Sequence, residues 1–273
     1  MVSVYTKGRY GNSTWQQMVA WVYAQKHGLQ YSAPKQTLAP HLWPSYHQHL
    51  VNTHWNDNLE IIEVNDGKHS YVELPFKEQW RNENIMIGTK SIETGYFQSW
   101  KYITPYIPQL KKAFNIQAKK NDSLVYINGP MIHVRRGDYL GISDKHPVVT
   151  EQYLLNAIEI VSKNNDYYTH RDTHFTFCSD DIEWCKEFVI KYFPDKTNLF
   201  FYKEGENEES DFMDMVFCSY LITSNSTFSV LAGILNTNAK KIICPHEDNY
   251  FGYQNKHLET KDIMPPFWTR IKY

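Results

Sequence analysis

Apolar positions along the chain gather into short β-prone runs, each followed by polar or glycine residues and then by apolar residues at helical spacing. Val2 to Tyr5 is the first run; Gly8, Gly11 and Asn12 follow it, and Trp15, Met18, Val19 and Val22 then recur at helical spacing through Gln25. This predicts strand, glycine turn, helix. Residues 33 to about 80 are rich in Pro, His, Asn and aromatics with poor periodicity, which predicts short strands and loops. From Leu124 the unit returns three times. Met131 to Val134 runs into Arg135-Arg136-Gly137-Asp138, and a helix follows with Tyr153, Leu154, Ala157, Ile158 and Val161 on one face and Thr150 as its N-cap. Phe175 to Cys178 ends in Ser179-Asp180-Asp181, ahead of a helix carrying Trp184, Phe188, Val189 and Tyr192. Tyr220 to Thr223 ends in Ser224-Asn225-Ser226-Thr227, and Phe228, Leu231, Ala232 and Leu235 line the next helix. Ile242 to Cys244 reads as the last strand.

Strands alternating with helices predict an α/β fold with a mostly parallel sheet covered on both faces. In such sheets a ligand lies beyond the carboxyl ends of the strands. The polar clusters Arg135-Arg136, Asp180-Asp181 and Asn225-Ser226-Thr227 each follow directly after an apolar run, so they are expected to converge on one cleft. The polar, basic segment KKAFNIQAKKND from Lys111 to Asp122 reads as a hinge between two α/β halves, 1–120 and 121–258, with 259–273 as a C-terminal tail.

The chain has 273 residues, enough for one large domain or two of moderate size. Its 42% apolar and 21% charged content excludes a disordered chain. A net charge of −2 leaves no bulk basic field for nucleic acid or an anionic membrane, so any anion must be met locally. The 20 Tyr, 14 Phe and 8 Trp suit ordinary cores and also surfaces that grip sugars or bases. Cys178, Cys185, Cys218 and Cys244 form no C-x-x-C pair, which indicates neither a zinc site nor a disulfide scaffold. No run of eighteen apolar residues and no signal-peptide pattern is present. The expected setting is therefore reducing and cytoplasmic, at most peripheral to a membrane carrying lipid-linked glycan.

The segment HVRRGDY, 133–139, is the most informative. Two adjacent guanidiniums at the end of a core strand each need a partner, and the planar fork of arginine suits phosphate oxygens. The alternative is pairing with Asp138 or another acid; the embedded Arg136-Gly137-Asp138 also matches an adhesion tripeptide. Gly8-Arg9-Tyr10-Gly11-Asn12 can bring backbone N–H groups and a helix N-terminus to a phosphate or hydroxyl, or can merely reverse the chain. It is neither a dinucleotide fingerprint nor a P-loop. Ser224-Asn225-Ser226-Thr227 offers hydroxyls and an amide at a helix start, for an anion or for N-capping. Asp180 and Asp181 can accept hydrogen bonds from a base or ribose, or cap the helix that begins near Glu183. Asn12-Ser13-Thr14 and Asn225-Ser226-Thr227 match the N-glycosylation sequon, which matters only for a secreted chain.

Taken in order, GRYGNSTWQQMVAWVYAQKHG at 8–28, GYFQSWKY at 95–102, HVRRGDY at 133–139, SDDIEW at 179–184 and the run from Asp214-Met215 through SNSTFS to Asn236 resemble the α-1,2-fucosyltransferases of glycosyltransferase family 11. More distantly they resemble α-1,6- and protein O-fucosyltransferases. Two departures stand out: Ser13 where the family usually has glutamine, and Val230-Leu231 where it has Trp-Trp. The resemblance implies a GT-B-like fold, two Rossmann-type halves with mostly parallel sheets facing a cleft. The N-terminal half would take the acceptor and the C-terminal half would hold GDP-β-L-fucose. Carried over by motif, Arg135 would hold the β-phosphate, with Arg136 as a second or structural arginine. His133 and one of Asp180 or Asp181 would face guanosine; Asn225, Ser226 and Thr227 would meet the diphosphate, and Gly11 and Asn12 would approach from the other half.

Leaving GDP gains negative charge as the C1–O bond breaks, and positive donors aimed at that oxygen lower the barrier. The sequence has no D-x-D tripeptide and no ligand cluster for Mg²⁺ or Mn²⁺, so the expectation is no metal and no cofactor, with Arg135 and backbone N–H groups in that role. Asp138 is the candidate base nearest the arginines, with orientation of Arg135 or Arg136 as its other role. The implied reaction is inverting transfer of L-fucose to O2 of a terminal β-galactoside, with GDP-fucose and a galactose-terminated glycan as partners. Its rivals are another GDP-sugar transferase and a non-catalytic carbohydrate-binding or adhesion module.

Overall fold

A computed structural model describes residues 1–4, 6, 8–32, 60–63, 71–83, 85–88, 95–114, 116, 129–164, 173–203 and 208–273. The chain divides into two compact units, one formed by Met1–Gln117 with Glu259–Ile263, the other by Ala118–Leu258 with Met264–Tyr273. Most of the stretch 33–80 and of the basic segment 111–122 lies outside the described residues.

The first unit contains a parallel three-stranded sheet of order β1-β3-β2, with β1 at Val2–Val4, β2 at Glu60–Glu63 and β3 at Ile85–Gly88. Val2 pairs with Ile85 and Val4 with Ile87, and all four side chains are buried. Helix α1, Tyr10–His27, starts five residues before the apolar periodicity does. The reason is local: Gly8 alone reverses the chain at φ 81, Arg9 is the N-cap, and the Ser13 N–H already reaches the Arg9 carbonyl at 3.0 Å. Polar Ser13, Thr14, Gln16 and Gln17 are buried alongside Trp15 and Met18, so the helix is covered well beyond its apolar stripe. Gly28 ends it in the left-handed region, its N–H reaching the carbonyls of Ala24 and Gln25. Among the described residues the unit also holds two short helices, α2 (Trp100–Ile103) and α3 (Ile107–Ala113), and a 3-10 turn at Glu78–Asn82.

The second unit is a six-stranded, wholly parallel sheet of order β6-β5-β4-β7-β8-β9. Its strands are β4 (Pro130–Val134), β5 (Phe175–Ser179), β6 (Phe200–Tyr202), β7 (Tyr220–Ile222), β8 (Lys241–Pro245) and β9 (Thr269–Ile271). The connecting helices are α4 (Glu151–Asn164), α5 (Ile182–Tyr192), α6 (Glu208–Phe217) and α7 (Thr227–Leu235). The Thr150 hydroxyl accepts the Tyr153 N–H at 3.2 Å, the expected cap of α4. Tyr153, Leu154, Ala157, Ile158 and Val161 pack into one core with Ile132, Val134, Phe177, Phe188, Ile222 and Ile243. Burial on both faces explains why these strands read as continuous apolar runs.

The strand at 242–244 is not the last. Residues 259–273, set apart in the sequence as a tail, are divided between the units, and β9 pairs with β8 through Ile243↔Thr269 and Pro245↔Ile271. Three residues are too few to display a period. Among the described residues no helix is long and apolar enough to cross a membrane. All four cysteines are buried free thiols.

Candidate active site at two adjacent strand ends

Strands build outward from β4 to β5 and β6 in one direction and from β7 to β8 and β9 in the other, so the winding reverses between β4 and β7. In open parallel sheets the ligand crevice lies at the carboxyl ends of the strands at this point. Here β4 delivers His133, Arg135 and Arg136, and β7 delivers Ser224, Asn225, Ser226 and Thr227.

His133 ties the two strand ends together: its Nδ1 lies 2.8 Å from the Ser224 Oγ, and its ring is 5.5 Å from that of Phe228 at the start of α7. Burial, with the nearby Arg135 charge, pushes its pKa down to about 3, so the imidazole is neutral near pH 7. Asn225 is buried, and its Nδ2 donates to the carbonyls of Pro147 at 2.7 Å and Tyr250 at 3.0 Å. It thereby fastens the loop after β4 to the loop after β8. The second sequon thus falls on an amide locked in the core. Ser226 is the N-cap of α7 but makes no side-chain cap bond. The first-turn N–H groups of α7 form the positive end of its dipole at the same edge.

Both arginines have carboxylate partners within the chain. Arg135 bonds Asp138 Oδ1 at 2.6 Å and Asp180 Oδ2 at 2.8 Å. The Arg136 Nε bonds Asp181 Oδ2 at 3.0 Å, and its guanidinium lies 4.1 Å from the centre of the Trp184 ring. Asp180 also accepts the Arg136 backbone N–H at 2.8 Å, while Asp181 caps α5 by accepting the Trp184 N–H at 3.3 Å. The pairing and capping alternatives raised by the sequence are therefore both present, and three carboxylates face two guanidiniums. Arg136 is wedged between an aromatic ring and the helix cap, Arg135 is equally covered, and Asp138 is the most exposed acid of the group. A β-carbon on Gly137 would stand 2.6 Å from the Asp180 Oδ2, so only glycine lets this carboxylate reach the arginines without displacement.

Gly11 and Asn12 belong to the first unit, in the opening turn of α1. The Asn12 Oδ1 accepts from the Gln98 Nε2 at 2.8 Å, which joins the two motif segments of that unit. Gln98 follows Phe97, a buried bulky residue held at φ 54, where side chains are strained.

One cluster had no counterpart in the sequence reading. Lys203, just after β6, is nearly buried and pairs with Asp214 and, at 3.3 Å, Asp211 on α6. Its signals were acids three residues apart on one helix face and the place of Asp214 at the head of the last motif run. No group of three or more His, Cys, Asp or Glu side chains able to hold a metal ion occurs among the described residues.

Residues 113–272, more than half of the chain, match the family model described as Glycosyl transferase family 11. An α-1,2-colitosyltransferase of Escherichia coli is 28% identical over 188 residues, 65% of this chain and 61% of its own length. The chain thus spans less than two thirds of that relative. Among solved structures, NodZ α-1,6-fucosyltransferase soaked with GDP-fucose aligns with TM-score 0.46 at 15% identity, covering 91% of this chain and 96% of that one. POFUT1 in complex with GDP-fucose aligns at 0.47 and 10% identity, covering 89% and 96%. The E. coli heptosyltransferase WaaC with ADP aligns at 0.41 and 7% identity, covering 99% and 92%.

Proposed function

Because the chain belongs to glycosyl transferase family 11, we propose that it transfers L-fucose from GDP-β-L-fucose to O2 of a terminal β-galactoside, with inversion and without a metal. The observation that carries this reading is the meeting of the HVRRGDY and SNST segments at adjacent strand ends where the winding of the sheet reverses. The acceptor hydroxyl attacks C1, the C1–O bond breaks on the opposite face, the electron pair passes to the β-phosphate oxygen, and the hydroxyl proton is released to solvent water. Arg135 meets that growing charge, helped by the N–H groups at the start of α7 and the Ser226 and Thr227 hydroxyls. To do so it exchanges the exposed Asp138 for phosphate while Asp180 holds the other side of the guanidinium. His133, kept neutral by burial, serves as a hydrogen-bonding group and not as the proton acceptor.

The testing experiment is a product assay with labelled GDP-fucose and a panel of galactosides, followed by linkage analysis, with and without EDTA. Expected is an α-1,2 product insensitive to EDTA. Thermal shift with GDP, UDP and ADP tests the donor class, and no preference for GDP defeats the reading. The colitosyl relative favours a second reading, in which the donor sugar is colitose. GDP-colitose outcompeting GDP-fucose as donor would select it.

A further inference from the structure

The first unit contains a pocket of about 230 Å³ whose lining draws on the 8–28 and 95–102 segments but on none of the candidate site residues named above. Its walls are Val19, Val22, Tyr23, Tyr71, Tyr102 and Tyr106, with Lys26, Glu73 and Lys101 among its polar lining. Along α1, Lys26 is fourteen residues beyond Asn12, about 21 Å at the helical rise, so much of the pocket surrounds the far end of that helix.

Two ion pairs flank the rings, and Tyr71 links them. Lys26 pairs with Glu73, whose other oxygen accepts the Tyr71 hydroxyl at 2.6 Å. Lys101 pairs with Asp262 at 2.7 Å, and Asp262 accepts the Tyr71 backbone N–H at 3.1 Å. The Tyr71 and Tyr102 rings lie 4.7 Å apart and tilted, and Tyr102 is held by its hydroxyl between the N–H and carbonyl of Val72. These rings are preorganised. The charges cancel in pairs, so the pocket carries no net attraction for an anion such as a diphosphate. Each pair nevertheless sets a strong donor beside a strong acceptor, the arrangement a hydroxyl can bridge by accepting from one and donating to the other. Aromatic walls with a few placed polar groups describe a ligand site. Its volume falls below the roughly 300–1,000 Å³ of drug-sized sites, which matches one hexose ring and not a nucleotide.

We propose that this tyrosine-walled pocket binds one neutral sugar ring, as a second carbohydrate site apart from the one where transfer takes place. Its assignment to a sugar of the acceptor glycan rests on the transferase reading.

Saturation-transfer NMR on the full chain, without GDP-sugar, would use methyl β-D-galactopyranoside, methyl α-L-fucopyranoside and galacturonate as probes. Expected is saturable binding of a neutral glycoside, weakened about tenfold by Tyr106→Ala and likewise reduced by Lys101→Met, and unaffected by Arg135→Ala. Lys101 is exposed, so the second substitution keeps the test valid if the first lowers the melting temperature. No saturable binding of either neutral glycoside, tighter binding of galacturonate, or unchanged affinity in Lys101→Met overturns the proposal. Fucosyl transfer to lactose is measured in parallel. Transfer without pocket binding defeats this inference alone, and pocket binding without transfer from any GDP-sugar defeats the proposed function alone.

Discussion

The two sheets of this protein place their polar chemistry in opposite ways. In the six-stranded sheet, charged and hydroxyl groups crowd the carboxyl ends of β4, β5 and β7, each immediately after a buried apolar run. In the three-stranded unit, the charged groups flank a pocket assembled from segments distant in sequence: the far half of α1, residues 71–74, residues 101–106, and Asp262 nearby. A strand end projects whatever follows it into a crevice, so a short motif suffices there. A pocket against a helix wall needs tertiary assembly. The first arrangement concentrates charge where a leaving group can use it; the second cancels charge and leaves hydrogen-bonding capacity.

The largest effect that would break this contrast lies at Arg135. Arg135→Ala is expected to lower kcat by about 10²–10³, the usual cost of removing one donor aimed at developing charge, while Tyr106→Ala leaves transfer to lactose intact. Steady-state kinetics with GDP-fucose check both. Equal losses in the two variants would mean that the units do not divide the chemistry in this way.

Acid stability comes next. The folded pKa of His133 lies near 3 against an ordinary value of 6.5, so between these limits the unfolded chain binds more protons than the folded one. Its neutral burial therefore leaves stability intact above about pH 6.5 and costs stability as pH falls from there toward 3, by a few kcal/mol in all. His27 and His146 are lowered by burial as well and act with the same sign. Denaturant unfolding at a series of pH values should show a shallower acid slope for His133→Gln than for the native chain. Identical slopes would mean that water reaches the imidazole. In the three-stranded unit, His27→Gln should alter the slope less.

Smaller again is Gly137→Ala. The added carbon would press on the Asp180 carboxylate at 2.6 Å and shift the group that holds both the Arg135 side chain and the Arg136 backbone, with kcat/KM expected to fall about tenfold. Gly141→Ala is the control, because nothing lies within 4 Å of its new carbon. A Gly137 variant as active as the Gly141 variant would show that Asp180 does not need to stay in place.

The same contrast explains what the chain order revealed. Met131–Val134, Phe175–Cys178 and Tyr220–Thr223 were legible because two-sided burial leaves nearly continuous apolar runs, broken inside only by His133 and Thr176, and the residues after them were legible as site candidates for that reason. His133 sits inside such a run, and only the structure shows it bridging to Ser224. The periodicity of α1 located the helix but not its first turn, since Ser13, Thr14, Gln16 and Gln17 are buried although polar. Helix α6 was legible in principle from Phe212, Met215 and Val216, whereas β3, β6 and β9 are too short to declare a period. The tyrosine pocket was not legible as a pocket, because its walls come from α1, residues 71–74 and residues 101–106, and the Tyr71 N–H meets a carboxylate 191 residues away.

The smallest expected effect is the one that separates two roles for Asp138. Its carboxylate is 2.6 Å from Arg135 and more exposed than Asp180 or Asp181, so it is the partner a phosphate can replace most easily. The Arg135 guanidinium engages the Oδ1 of this carboxylate directly. Asp138 is therefore expected to orient Arg135 and to compete with the diphosphate, not to take the proton of the acceptor. Asp138→Asn should then tighten GDP binding about two- to fivefold, by weakening a competing charge-assisted bond, and change kcat by no more than about threefold. Removal of a general base instead costs about 10²–10⁴ in rate and leaves GDP affinity alone. Isothermal titration with GDP beside a kcat measurement distinguishes the two patterns, and a hundredfold drop in kcat at unchanged GDP affinity would return Asp138 to the role of base.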